Sequence, residues 1–229
     1  MKNSIVIRAY NAQATIERAL QSALNQDFPT QNYEVVVVND GSKDNTLEIV
    51  RNFENNPLVV VIDQENKGAV ATANIGCKAS RGEYVILLDS DDCFEPHLLR
   101  RFSQLFDENE SIDFAYCGYY EEFQKKRVLV QPKNMFEAIA GGMMYRRDSL
   151  AKEGFFREEV IFAEYDLILR TWQRWKSAYA NEPLLTYFRR EASISGDAER
   201  VREGLKKLQE LHPSHIDLIK KIRSYALVS

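Results

Sequence analysis

The chain has 229 residues, 45% hydrophobic and 28% charged, enough to bury roughly 70% of its unfolded surface and too apolar for wholesale disorder. Thirty Lys and Arg stand against 34 Asp and Glu, a net charge of −4, which argues against a coat for nucleic acid, so no nucleic-acid partner is expected. No apolar run reaches the ~18–20 residues that span a bilayer, and three cysteines (Cys77, Cys93, Cys117) without a CxxC pair point to a reducing, cytoplasmic setting without disulfides or a zinc knuckle.

Along the first half, Ser4–Ala9, Tyr33–Val38, Leu58–Asp63 and Tyr84–Leu88 are short, almost continuously apolar runs. Such runs predict parallel strands covered on both faces. Thr15–Gln26, Thr46–Phe53 and Gly68–Ser80 lie between them and Pro96–Phe106 follows, with apolar residues at helical spacing such as Ile16, Ala19, Leu20 and Ala23. Alternation with short joints predicts a layered α/β sandwich. After about residue 110 the rhythm changes. Strands are expected over Asp113–Tyr119 and Lys126–Val130, and Gly141-Gly142 precedes Met143–Arg146. A short helix over Asp148–Glu153, a helix over Phe162–Arg174 and an extended Pro183–Arg190 follow. Ala198–Leu211 reads as an amphipathic helix stopped by Pro213, and Ser214 to Asp217 as a capping box opening a last helix.

In open α/β sheets, ligands sit beyond the carboxyl ends of the strands. Three early strands end there in polar residues: Arg8-Ala9-Tyr10-Asn11, Asn39 through Thr46, and Asp89-Ser90-Asp91-Asp92. The second could be turn and N-cap chemistry alone. The three crowded carboxylates of the last have no obvious structural use, and a hard divalent cation would neutralise them. Neither GxGxxG nor GxxxxGK[ST] occurs, which removes dinucleotide and Walker-type readings. A haloacid-dehalogenase phosphatase would carry its DxD after the first strand, not the fourth. A nucleotidyltransferase would want a Gly-rich, Arg-containing loop after the first.

Five pieces in order, from residue 4 to about 195, give the chain a resemblance to the family 2 glycosyltransferases. They are Ile5 to Asn11, Val38 to Thr46, Asn66-Lys67-Gly68 with Ala73 to Gly76, Ala79 to Tyr84 with Leu87 to Asp92, and Gly154-Phe155 with Glu164 to Leu167. The resemblance implies a GT-A fold, a three-layer α/β/α sandwich around a mixed, mostly parallel sheet, plus C-terminal helices. It divides the chain into a glycosyltransferase domain over 1–197 and a helical tail over 198–229. Within that domain, 1–110 is the nucleotide-sugar half and 111–197 the acceptor and catalytic half. It implies an inverting transfer from a nucleoside-diphosphate sugar to a hydroxyl, with Mn²⁺ or Mg²⁺ as cofactor. Tyr10 and Asp40 would hold the nucleoside, Asp89 would reach the ribose, and Asp91 with Asp89 would ligate the metal. Arg8, Asn66, Gly68, Thr72 and Ser90 complete the expected nucleotide-sugar site. Registering Ala163-Glu164-Tyr165-Asp166-Leu167 on the family's late helix puts the base at Glu164. Asp92, Asp166, Arg189 and Arg190 are further candidates for diphosphate or acceptor contacts.

The chain also departs from the family pattern. Arg8 stands where Pro or Thr is common, Asn39 where Asp is, Thr72 where Arg often is, and Ala163 where an acid often precedes the base. The family's late histidine is replaced by Arg190 or Glu191. These departures keep a catalytically inactive, nucleotide-binding or scaffolding relative as the alternative. UDP is the expected donor nucleotide, with GDP or dTDP as substitutes, and the acceptor is a saccharide or a lipid-linked saccharide, as in polysaccharide biosynthesis. Glu199 to Arg223 carries seven basic and four acidic side chains, net +3, leaving −7 for the rest. A basic amphipathic segment could rest on the inner face of an anionic membrane.

Overall fold

A computed structural model describes residues 1–190 and 197–222. The first strands are β1 (Asn3–Ala9), β2 (Tyr33–Asp40), β3 (Val59–Gln64) and β4 (Tyr84–Asp89), joined through helices α1 (Ile16–Leu24), α2 (Thr46–Arg51) and α3 (Ala69–Ala79). After β4 come β5 (Cys93–Phe94), α4 (Leu98–Glu108), β6 (Phe114–Phe123), β7 (Lys126–Val130), β8 (Met143–Arg146), α5 (Arg147–Lys152) and α6 (Ala163–Arg170). The chain continues through β9 (Ser177–Phe188), α7 (Ala198–Leu211) and α8 (Ile216–Ile219).

The sheet runs β3-β2-β1-β4-β8-β6-β9-β5, with β7 also on β6. The first four strands are mutually parallel, β8 joins antiparallel, and β6 pairs parallel with β9. Because β9 follows β6 along most of its length, β8 at Phe114–Tyr116 and β7 at Tyr119–Phe123 must share its other edge.

Two cores follow from the period-2 alternation of the strands. Ile5, Ile7, Val35, Val37, Ile86 and Leu88 face α1, α2 and α4. Val6, Val36, Val38, Val85 and Leu87 face the layer of α3, α5 and α6. The apolar runs therefore lack polar alternation because both faces are covered, giving three α/β/α layers. Leu208 of α7 and Ile219 of α8 belong to the second core, so these helices pack on the body instead of trailing from it.

Three boundaries differ from expectation. The late helix stops at Arg170, where the Thr171 hydroxyl donates back to the Leu167 carbonyl at 2.7 Å. β9 begins six residues before Pro183, whose missing N–H is tolerated at a register shift beside Gly118. The Ser214 capping box does not form: Ser214 Oγ pairs with His215 Nδ1, and α8 opens from His215 without a side-chain cap. No described helix is long and apolar enough to cross a membrane.

Candidate active site

The carboxyl ends of β1, β2 and β4 lie side by side, with Arg8 in register with both Val38 and Asp89. Their loops are laced together. Asn11, in the left-handed region at φ 48°, accepts from the Lys43 N–H at 2.8 Å while its own N–H donates to Ser42 Oγ at 3.0 Å. Asn tolerates this backbone better than most residues. Asp44 accepts from Gln13 N–H at 3.1 Å, and Thr46 Oγ1 from Ala12 N–H at 2.7 Å. The lacing leaves Tyr10 48% exposed beside it.

Asp40, nearly buried at the end of β2, organises the next loop. Its Oδ1 accepts from Gln64 Nε2 (2.7 Å) and Lys67 N–H (2.8 Å), its Oδ2 from Gly68 N–H (3.0 Å). Asn66 Nδ2 donates to the Asp40 carbonyl at 3.0 Å. A carboxylate has about four lone-pair positions, so Asp40 keeps room for one more donor. Gly68 adopts φ 88° here, a backbone that side chains resist. Thr72 is 1% exposed, donates to the Gly68 carbonyl at 2.8 Å and lies 3.3 Å from Gln64 Nε2. Thr72, expected at the nucleotide-sugar site, is here a buried support of the Gly68 loop. Asn39 donates to Asp63 at 2.8 Å, where an aspartate would meet a like charge.

At the end of β4, Asp89, Ser90 and Asp91 are partly exposed. Arg8 bonds Asp89, and Arg190 bonds Asp91, so each of these carboxylates already has an arginine. Glu191, the other candidate for the histidine position, lies outside the described residues. Arg18 of α1, which carries no sequence signal beyond being a charged helix residue, donates to the Asp91 carbonyl at 2.6 Å and stacks 3.6 Å from the Phe188 ring centroid. Burial and neighbouring Asp89 push the Asp91 carboxyl up, with Arg190 opposing. Asp92 points inward at 2% exposure and accepts from Phe188 N–H at 2.9 Å. Burial, Asp89 and Asp91 hold it well above the usual carboxylate range. Asp92, expected as a diphosphate or acceptor contact, ties β9 to the loop.

Glu164 lies in the first turn of α6, its side chain 12% exposed and its Oε1 4.0 Å from Arg8 Nη1. Arg8, 13% exposed, thus stands between Asp89 and Glu164. Burial lowers the guanidinium's pKa, but Asp89 and Glu164 outweigh it and leave a net rise. Burial raises the Glu164 carboxyl, Arg8 opposes, and Asp89 adds a smaller rise. Asp166 is two residues on, about 200° around the helix, and faces the interior. It is fully buried between Arg157 (3.2 Å), Arg170 (2.9 Å) and His212 (2.8 Å). Asp166, expected as a diphosphate or acceptor contact, is here an internal anchor for these three side chains. Arg189 turns toward β6, 3.6 Å from Glu121 and 5.0 Å from the Phe123 ring centroid, so only Arg190 of the two reaches the Asp loop.

Among the described residues no group of three or more His, Cys, Asp or Glu side chains could hold a metal. Mg²⁺ and Mn²⁺ do not need one where one or two carboxylates are completed by substrate phosphates and water. Asp91 and Asp89 fit that pattern: two partly exposed carboxylates at the end of β4, where burial and then the neighbouring Asp89 charge push Asp91 up. Arg190 would have to release Asp91 for such an ion.

With this geometry in view, a family model described as "Glycosyl transferase family 2" matches residues 4–156. An uncharacterised glycosyltransferase of Haemophilus influenzae is 27% identical over 226 residues, covering 90% of this chain and 76% of that protein. The poly(ribitol-phosphate) β-N-acetylglucosaminyltransferase TarS of Staphylococcus aureus is 36% identical over 113 residues, 48% of this chain and 20% of TarS. The crystal structure of TarS 1–349 with UDP-GlcNAc has a TM-score of 0.76 at 24% identity, covering 96% of this chain and 70% of that one. The mannosyltransferase PcManGT of Pyrobaculum calidifontis, with GDP-Man and Mn²⁺, has a TM-score of 0.78 at 16% identity, covering 96% and 68%. The chain thus spans three quarters of the Haemophilus protein but one fifth of TarS.

Proposed function

The chain belongs to glycosyltransferase family 2, and from that premise we propose an inverting, divalent-metal-dependent transfer of a sugar from a nucleoside diphosphate to a hydroxyl acceptor. The observation that carries this proposal is the line Asp89–Arg8–Glu164, in which one guanidinium joins the donor-side carboxylate to the carboxylate opening α6.

Tyr10 supplies a flat face for the base, and the unused capacity of Asp40 accepts one base N–H. Asn66 and Gly68 stand on the loop that Asp40 organises, and Asp89 with Ser90 turns toward the ribose. A cation held by Asp91 and Asp89 would supply Lewis-acid neutralisation of charge on the departing diphosphate. Arg190, freed from Asp91, then binds diphosphate oxygens through its planar fork. Inversion needs a base on the face of the sugar opposite the leaving group. Glu164 takes the proton of the attacking hydroxyl at its carboxylate as positive charge develops at the anomeric carbon. Arg8 favours the ionised form of Glu164 against the pull of burial.

UDP is the donor nucleotide in this reading, supported by UDP-GlcNAc on TarS; the alternatives are GDP, the nucleotide of GDP-Man on PcManGT, and dTDP. The acceptor is a saccharide or lipid-linked saccharide lying along residues 134–164. The basic side chains of α7 and those that follow α8, with Ile216 41% exposed, would bring the enzyme to the inner face of an anionic membrane. Calorimetric titration with UDP, GDP and dTDP, with and without Mn²⁺, tests the donor half. One nucleotide should bind, and more tightly with Mn²⁺. Failure of all three under both conditions would sink the reading.

A further inference from the structure

We propose that His212 is a positioning residue for the transfer: through Asp166 it fixes the helix that presents Glu164, making the C-terminal helix pair part of the catalytic mount. The proposal rests on Glu164 being the base.

The sequence gives no hint of this, since His212 is separated by 46 residues from Asp166. In the fold, His212 closes α7, its N–H donating to the Leu208 carbonyl at 2.9 Å. Its Nε2 lies 2.8 Å from Asp166 Oδ1, with His212 8% and Asp166 0% exposed. The same carboxylate takes Arg157 from the segment before α6 and Arg170 from the end of α6 itself. Arg170 in turn donates to the Glu153 and Phe155 carbonyls at 2.8 and 2.7 Å. One buried carboxylate thereby joins three stretches of chain: the loop after α5, helix α6, and the α7–α8 junction.

A second contact presses on the same place. Gly204 of α7 lies so close to the chain entering α6 that a Cβ there would sit 2.6 Å from Ile161 and 2.8 Å from Phe162. Phe162 is the residue immediately before α6. Helix α6 has only eight residues, too few to hold its own shape without packing. Its pose therefore depends on what clamps it. Because residues 164 and 166 point to opposite sides of the helix, a shift at Asp166 tilts Glu164 relative to Arg8. Small misplacements of a reacting group are costly in rate while leaving remote binding alone.

The test compares His212→Ala, His212→Gln and Gly204→Ala in the full chain by steady-state kinetics, nucleotide calorimetry and hydrogen exchange. His212→Ala should lower kcat on the order of tenfold or more, leave donor KM and nucleotide affinity within about twofold, and speed amide exchange over residues 163–170 but not in β1, β2 or β4. His212→Gln, which keeps an N–H able to reach Asp166, should restore kcat. A purely structural histidine would change stability without this split between kcat and KM. Should His212→Ala fail to fold, Gly204→Ala carries the same expectations, since it pries α7 from Ile161 and Phe162. Unchanged kcat with unchanged exchange at 163–170 overturns the proposal. Glu164→Gln measured alongside separates the failures: if it too transfers at the wild-type rate the base assignment has failed, and if it is inactive the clamp has.

Discussion

At the scale of single residues, the site is defined by how its charges are paired. Arg8 serves two carboxylates, and the loss of its charge should be legible in a pH profile. Burial raises Glu164 above its ordinary value, so kcat/KM should fall on the acid side at a pH above the usual glutamate range of about 4.3. Arg8 opposes that rise. Arg8→Met should therefore move the acid limb to still higher pH, because the protonated form then persists further, and an unmoved limb would contradict the coupling. Asp91→Asn should remove the Mn²⁺-dependent part of nucleotide binding in calorimetry while leaving metal-free binding close to wild type. Residues whose role depends on direction were the ones that sequence could not place. Asp92 and Asp166 look like Asp91 in a string of letters, yet both turn inward, to Phe188 N–H and to two arginines with a histidine. Arg18 and His212 were missed because their partners lie 73 and 46 positions away.

At the scale of elements, the first half of the chain was readable and the second less so, for a physical reason. β1, β2 and β4 are covered on both faces, so their runs of Val, Ile and Leu carry a strong local signal. β5 has two residues, and β9 crosses a proline with a register shift. Such elements exist because of their neighbours, not their own propensity. The α3–sheet contact shows how tight the readable half is. Gly76 would gain helix propensity on conversion to Ala, by about 1 kcal/mol. The new Cβ, however, would fall 2.2 Å from Val6 Cγ1 and 3.2 Å from Val38 Cγ2, and branched side chains in a sheet have little freedom to move. Overpacking should win, so Gly76→Ala is expected to destabilise by about 1–3 kcal/mol, seen as a lower urea midpoint with an unchanged slope. A raised midpoint would mean that α3 can lift from the sheet.

At the scale of the whole molecule, the net charge of −4 averages over regions with different tasks. The acidic body gathers Asp40, Asp89, Asp91 and Glu164 at one end of the sheet, whereas the C-terminal stretch with the net positive charge packs its helices on the second core. The motif residues on which the resemblance rests lie at the ends of β1, β2 and β4 and in the first turn of α6. The resemblance could not say that the last helices bear on α6, since that contact involves no motif. In the proposed reading, the chain's length is divided among a donor platform, an acceptor and base segment, and a helix pair that holds the base in place. The most direct measurement is the rate of nucleoside diphosphate release by Glu164→Gln with saturating donor, Mn²⁺ and acceptor, beside its calorimetric affinity for the same nucleotide. Affinity should stay at the wild-type value while the rate drops by on the order of 10²- to 10⁴-fold; a rate equal to wild type at unchanged affinity would contradict Glu164 as the base.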